Sequence, residues 1–144
     1  MVKTKKIFLD TNFWVRYFTR DNQSQYLSAV KLIEKVESGR FRPFISSIIF
    51  LELNFILSHL YSLNPKQINH CFDLILSLRN LVIVNKTDFL LALKWHRQLK
   101  IKLSDCLIAS SLPPKCVLIS WDKDFSKIKD IQVKTSEDFL KTKY

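Results

Sequence analysis

In the stretch Lys6-Ile7-Phe8-Leu9-Asp10-Thr11-Asn12, a short apolar run stops abruptly at an acid. The run shows no polar alternation, so it reads as a strand buried on both faces. Asn12 to Thr19 then follows helical spacing, and Asp21-Asn22 breaks it. A strand, an acid and a helix in that order suggest one half of a βα unit, with the acid at the carboxyl end of the strand.

The same grammar repeats along the chain. Gln25 to Ser38 is an expected amphipathic helix, with Leu27, Val30, Ile33 and Val36 at three-residue spacing and Gly39 as its C-terminal stop. Phe41 to Ile45 reads as a second strand. Ser46 or Ser47 is placed to cap a helix from Ile48 to about Tyr61. Asn64-Pro65 opens another helix. Leu81 to Val84 is a short third strand, and Thr87 to Leu99 a helix. Ser104 is placed to cap a helix to Leu112, which Pro113-Pro114 ends. Cys116 to Ile119 is a fourth strand and Ile131 to Val133 a weaker fifth. Thr135 and Ser136 introduce a last short helix. Short apolar strands alternating with helices predict an α/β fold: a three-layer α/β/α sandwich around a central parallel sheet of four to five short strands. No linker or repeat divides it, so residues 1–144 are expected to form a single domain.

Composition narrows the function. Gly39 is the only glycine, which removes Gly-rich phosphate loops and dinucleotide fingerprints. Lys plus Arg number 23 against 13 Asp plus Glu, a formal net charge of +10 that attracts polyanions, or serves solubility alone. Cys71, Cys106 and Cys116 form neither a disulfide framework nor a zinc spacing. Buried thiols of this kind suit a reducing cytoplasm. The basic opening MVKTKKIFLDTN is read as a lead into the first strand and not as a signal peptide. No apolar run reaches the length of a membrane span, and Glu52, Asn54 and His59 interrupt the longest one.

Four acids occupy positions that need an explanation. Asp10 follows the first strand and Asp122 follows the fourth, and sites in open parallel sheets form beyond the carboxyl ends of strands. Glu52 lies within a helix beside Ile48, Phe55 and Ile56, on an expected core-facing stripe. Asp105 begins a helix whose same face carries Ile108, Ala109 and Leu112. Each has an ordinary alternative. Asp10 suits a helix cap, Asp105 a first-turn acid, Glu52 a partner for a lysine or His59, and Asp122 and Asp124 a turn. Together they suggest hard oxygen ligands for Mg²⁺ or Mn²⁺, because crowded carboxylates otherwise repel.

The chain resembles PIN domains in four ordered segments. These are Ile7-Phe8-Leu9-Asp10-Thr11-Asn12, Ile49-Phe50-Leu51-Glu52-Leu53, Leu103-Ser104-Asp105-Cys106-Leu107-Ile108-Ala109 and Leu118-Ile119-Ser120-Trp121-Asp122-Lys123-Asp124-Phe125. Each is weakly specific alone, whereas their joint order and spacing, spread over nearly the whole chain, are strong. The resemblance implies endonuclease action on RNA with Mg²⁺ or Mn²⁺. It implies catalytic and metal-ligand roles for Asp10, Glu52, Asp105 and Asp122, with Asp124 the second choice for the fourth acid. It gives Thr11, Asn12 and Ser120 the task of hydrogen-bonding those acids.

Single-domain PIN proteins of this size resemble VapC-type toxins of toxin–antitoxin pairs, implying a homodimer and an antitoxin partner. Phe13, Trp14, Tyr17 and Phe18 would line the antitoxin groove, or else form plain core. Expected RNA contacts are Arg16, Arg20, Lys100, Lys102, Lys123 and Lys127. His59, His70 and His96 show no metal spacing and are read as structural. A housekeeping RNA-processing nuclease and a PIN protein that binds RNA without cutting it are the alternatives. A phosphatase with Asp-x-Asp after the first strand fits poorly because Asn12 stands second, and a receiver domain because the third strand ends Val84-Asn85.

Overall fold

Ile7, Phe8 and Leu9 are all fully buried. Successive strand side chains point to opposite faces, so both faces of this strand are covered. The structure is a computed structural model that describes residues 4–142. The ends of the expected 1–144 domain, including the first three residues of the basic N-terminal stretch, lie outside the described residues.

Five strands form one sheet: β1 (Lys5–Leu9), β2 (Phe41–Ser46), β3 (Val82–Val84), β4 (Val117–Ile119) and β5 (Gln132–Lys134). Their order is β3-β2-β1-β4-β5, and every neighbouring pair is parallel. Parallel neighbours require crossovers, and helices supply them. These are α1 (Thr11–Thr19), α2 (Gln23–Glu37), α3 (Ser47–His59), α4 (Pro65–Leu76), α5 (Phe89–Leu99) and α6 (Leu103–Ser110). A 3₁₀ turn at Lys123–Lys127 joins β4 to β5, and α7 (Ser136–Lys141) ends the described chain. The result is the expected α/β/α sandwich, with five strands. From β1 the chain steps outward to β2 and β3, then returns to β1's other side for β4. The switch in direction therefore falls between β1 and β4, where such sheets place their sites.

Local chemistry fixes most helix starts. Asn22 accepts from Gln25 N at 3.1 Å to cap α2, and Asn64 and Gln67 form a capping box on α4 with Pro65 in its first turn. Asp88 accepts from Leu91 N and starts α5 later than the expected Thr87. Two expected capping bonds are not formed. Ser46 stands at the N-cap position of α3 but makes no side-chain cap bond, and Ser47 hydrogen-bonds Asn85. Ser104 is the second residue of α6, behind a Lys102 N-cap.

The buried stripe of α3 is Ile49, Leu53 and Leu57. Glu52 is therefore on the flank of that stripe and not at its centre, and Phe55, expected beside it in the core, is 58% exposed. On α2 the buried face is Ala29, Leu32, Ile33 and Val36, which leaves Leu27 in solvent. All three cysteines are free and buried. Among the described residues no helix is long and apolar enough to cross a membrane.

Candidate active site

Asp10 directly follows β1 at 4% exposure. Its backbone carbonyl starts α1 by accepting from Phe13 N, but its side chain makes no cap bond. The carboxylate instead accepts from Ser120 Oγ at 2.7 Å, just beyond β4. Burial pushes its pKa up to about 7, with Asp105 and Glu52 adding repulsion against the lowering effect of the Ser120 bond. Asp105, in the first turn of α6, is pushed up to about 6, again chiefly by burial and then by Glu52 and Asp122. Both groups resist ionisation in the absence of positive charge.

Glu52 comes from the middle of α3. Its Oε1 accepts from Thr11 Oγ1 at 2.7 Å, and its Oε2 from Ser104 Oγ at 3.1 Å and Lys102 Nζ at 3.5 Å. Asp122 follows β4 and accepts from Asp124 N at 2.9 Å. Asp10, Glu52, Asp105 and Asp122 all line one open cavity of about 320 Å³, together with Arg16, Tyr61 and Lys102. Among the described residues, no three His, Cys, Asp or Glu side chains already stand together as a coordination group. The acids ring the cavity and do not meet at a point. Hydroxyls hold Asp10 and Glu52 at the cavity walls. The donor set is wholly hard oxygen. Such a set fits Mg²⁺ or Mn²⁺ and not a thiophilic metal.

The supporting residues divide the labour unevenly. Thr11 and Ser120 each donate directly to an acid, as the resemblance implies. Asn12 does not touch one. Its Nδ2 donates to Ser120 Oγ at 3.2 Å, and its Oδ1 accepts from Trp121 N at 3.4 Å, so it positions the β4 end. Ser104 was missed as an acid partner, because Ser before an acid at a helix start reads as a cap. Tyr61 was missed too. Its hydroxyl donates to Asp21 at 2.5 Å, and Asp21 in turn holds Arg16 at 2.7 Å at the cavity wall. That hydrogen bond from Tyr61 is the main reason the Asp21 carboxyl is lowered to about 2. Asp124 does not line the cavity and pairs with Lys127 at 3.1 Å, whereas Asp122 lines it.

The expected RNA contacts are scattered. Arg16 and Lys102 reach the acid cavity. Lys100 lies with His96 and Arg97 in a neighbouring basic hollow that Lys102 also lines. Lys123 lines a hollow next to Asp122. Arg20 lies over the Tyr26 ring at 4.7 Å, outside the cavity. Of the aromatic row on α1, Phe13 and Trp14 are buried in the core at 0% and 1% exposure and cannot line a groove. Tyr17 and Phe18 are half-buried against that core. His96 bonds Ile101 O and His59 stacks on Phe55, which are local structural roles.

Comparison with known proteins agrees with this architecture. Among curated protein sequences none matches the chain significantly. The crystal structure of VapBC2 from Rickettsia felis, bound to a DNA fragment from their promoter, contains a chain similar to this one at a TM-score of 0.66 and 22% identity, covering 90% of this chain and 98% of that one. The crystal structure of FitAcB from Neisseria gonorrhoeae contains another at 0.55 and 16%, covering 91% and 98%. At these identities the likeness is one of fold. The PIN domain family pattern matches residues 7–131, most of the sequence and all four acid-bearing segments, and the chain belongs to the PIN domain family.

Proposed function

We propose that this protein is a metal-dependent endoribonuclease, the toxin of a toxin–antitoxin pair. The observation that carries the reading is the convergence of Asp10, Glu52, Asp105 and Asp122, from four separate segments, on one cavity at the β1–β4 switch point of a chain with net charge +10. PIN domains are generally nucleases that use divalent metal ions. The structural neighbours from Rickettsia felis and Neisseria gonorrhoeae support the toxin reading and an antitoxin partner.

Asp10, Glu52, Asp105 and Asp122 would hold Mg²⁺ or Mn²⁺. When bound, the cation supplies positive charge for the scissile phosphate and acidifies water. The chain's residues prepare that arrangement. Burial raises the affinity of Asp10 and Asp105 for protons, so a bound cation would compete with protons at both. Thr11 and Ser104 fix the two oxygens of Glu52, and Ser120 fixes Asp10, so the acids keep their directions when the cavity fills. Lys102, whose side chain is 70% exposed at the rim while its Nζ pairs with Glu52 Oε2, and Arg16, held by Asp21 and Gln25, present cations to an RNA backbone.

The test is cleavage of single-stranded RNA in buffers with controlled Mg²⁺ and Mn²⁺. Asp10→Asn and Asp105→Asn are each expected to lower the rate by at least ~100-fold, with the circular dichroism spectrum unchanged. Equal cleavage by the wild type and both variants would remove the enzyme reading. RNA binding without metal-dependent products would identify a binder that does not cut.

A further inference from the structure

Asp122 lines a second hollow as well as the acid cavity. This hollow measures about 350 Å³, and its other walls include Trp121, Lys123, Lys134, Thr135 and Asp138. Trp121 is unlike the other tryptophans of the chain. Trp14 and Trp95 are buried at 1% and 7% exposure, whereas Trp121 is only partly buried.

This partly buried indole is held in place. Its Nε1 donates to Glu137 Oε2 at 2.8 Å. Its ring lies nearly parallel to Phe13, at 8° with centroids 6.2 Å apart. Its backbone N donates to Asn12 Oδ1. A carboxylate from α7 and two residues of α1, the core ring of Phe13 and the side chain of Asn12, thus fix one flat surface beside the acids.

We propose that Trp121 is the stacking platform of a nucleobase subsite, and that the hollow takes the base of a nucleotide flanking the cut phosphate. The claim rests on the RNA-cleavage reading and adds to it where a neighbouring base sits. A base needs a flat apolar face and polar groups at its edge, and single-stranded RNA is recognised largely in this way. Trp121 offers the face. Thr135 and Asp138 offer a hydroxyl and a carboxylate for the edge, and Lys123 is exposed for the adjoining phosphate. Preorganisation of the ring by Glu137 lowers the ordering cost of binding.

The experiment uses the full chain carrying Asp10→Asn, so that bound RNA survives, and titrates it with a mixed-sequence oligoribonucleotide and with an abasic oligomer of equal length. With the other two tryptophans buried, fluorescence quenching reports Trp121. Saturable quenching by the base-bearing oligomer, much weaker with the abasic one and lost in Trp121→Phe, is expected. In the cleaving background, Trp121→Ala should raise KM by about 10-fold with kcat little changed, and Trp121→Phe should recover most of that loss. Metal-dependent cleavage with no base-dependent quenching would overturn the subsite alone, and so would a hollow that takes only an antitoxin side chain. Equal falls in kcat for Ala and Phe, with KM fixed, would also overturn it by showing that Trp121 merely positions Asp122. Base-dependent quenching without any metal-dependent cleavage would support the subsite and remove the nuclease reading instead.

Discussion

Ser120 Oγ donates to Asp10 Oδ2 at 2.7 Å, joining residues 110 apart in sequence where two neighbouring strands end. The same oxygen accepts from Asn12 Nδ2 at 3.2 Å and from Asp122 N at 3.0 Å. A hydroxyl has one proton and two lone pairs, so Ser120 spends its full bonding capacity on the site. Ser120→Ala removes the donor that favours ionised Asp10. The Asp10 pKa, already about 7, should rise further. The acidic limb of the pH–rate profile should move to higher pH, and stability should fall by about 1–3 kcal/mol. A profile superimposable on that of the wild type would show that Asp10 does not titrate in the rate-limiting chemistry.

Metal-free stability should decline with pH. Asp10 is raised from 3.8 to about 7 and Asp105 from 3.8 to about 6, burial leading in both. Between about pH 4 and 7 the folded chain holds protons that the unfolded chain has released. This stabilisation is complete below pH 4 and is lost as pH rises through the folded values. Asp21, lowered to about 2, acts below this window and in the opposite direction. Melting scans in chelator should therefore fall between pH 4 and 7, with a shallower fall for Asp10→Asn. Mg²⁺ competes with those protons, so it should raise the melting temperature more at pH 8 than at pH 5. Identical slopes for the wild type and Asp10→Asn would contradict the burial argument.

Lys102 and Arg20 were equal candidates for RNA contact in the sequence, and the fold separates them. Lys102 reaches the rim of the acid cavity, while Arg20 caps α1 and covers Tyr26. Lys102→Ala should weaken RNA binding and reduce the salt slope by about 0.7 for single-stranded RNA. It should also raise Asp105 further, since the Lys102 charge now lowers it. Arg20→Ala should leave the slope as it is. Filter binding across a salt series distinguishes the two, and equal losses would mean that net charge alone drives association.

Ile7-Phe8-Leu9 and Val117-Leu118-Ile119 were readable as strands because doubly covered strands carry unbroken apolar runs. Which strand neighbours which was not readable, since such runs hold no register information. Asp10 and Asp122 stood out because strand ends define the site edge. The links between the acids were harder to see. Ser104 to Glu52 spans 52 residues and Thr11 to Glu52 spans 41, and neither has a local pattern. The aromatics of α1 show the remaining ambiguity: helical spacing puts Phe13 and Trp14 on one face without saying whether that face meets core or partner. Trp121 was visible only as part of a motif, because its hold on Glu137 and Phe13 depends on packing.

Gly39 tests stability apart from chemistry. It follows the Ser38 cap of α2 at φ +84, with Gly39 N donating to Val36 O at 2.9 Å and Arg40 N to Lys35 O at 3.0 Å. These two bonds form a Schellman ending, which requires a left-handed residue at this position. A Cβ here would also meet the Arg79 guanidinium at 3.0 Å, and that group donates to Glu37 O. Gly39→Ala should therefore cost about 1–2 kcal/mol, lowering the melting temperature by roughly 2–8 °C. Arg79→Ala in the same chain should return the steric part of that loss and leave the backbone part. Gly39 precedes β2, at the sheet edge opposite the acids, so metal-dependent kcat should be preserved below the melting range. A neutral Gly39→Ala would mean that α2 ends differently in solution. A large fall in kcat without a fall in stability would mean that the two edges of the sheet are coupled.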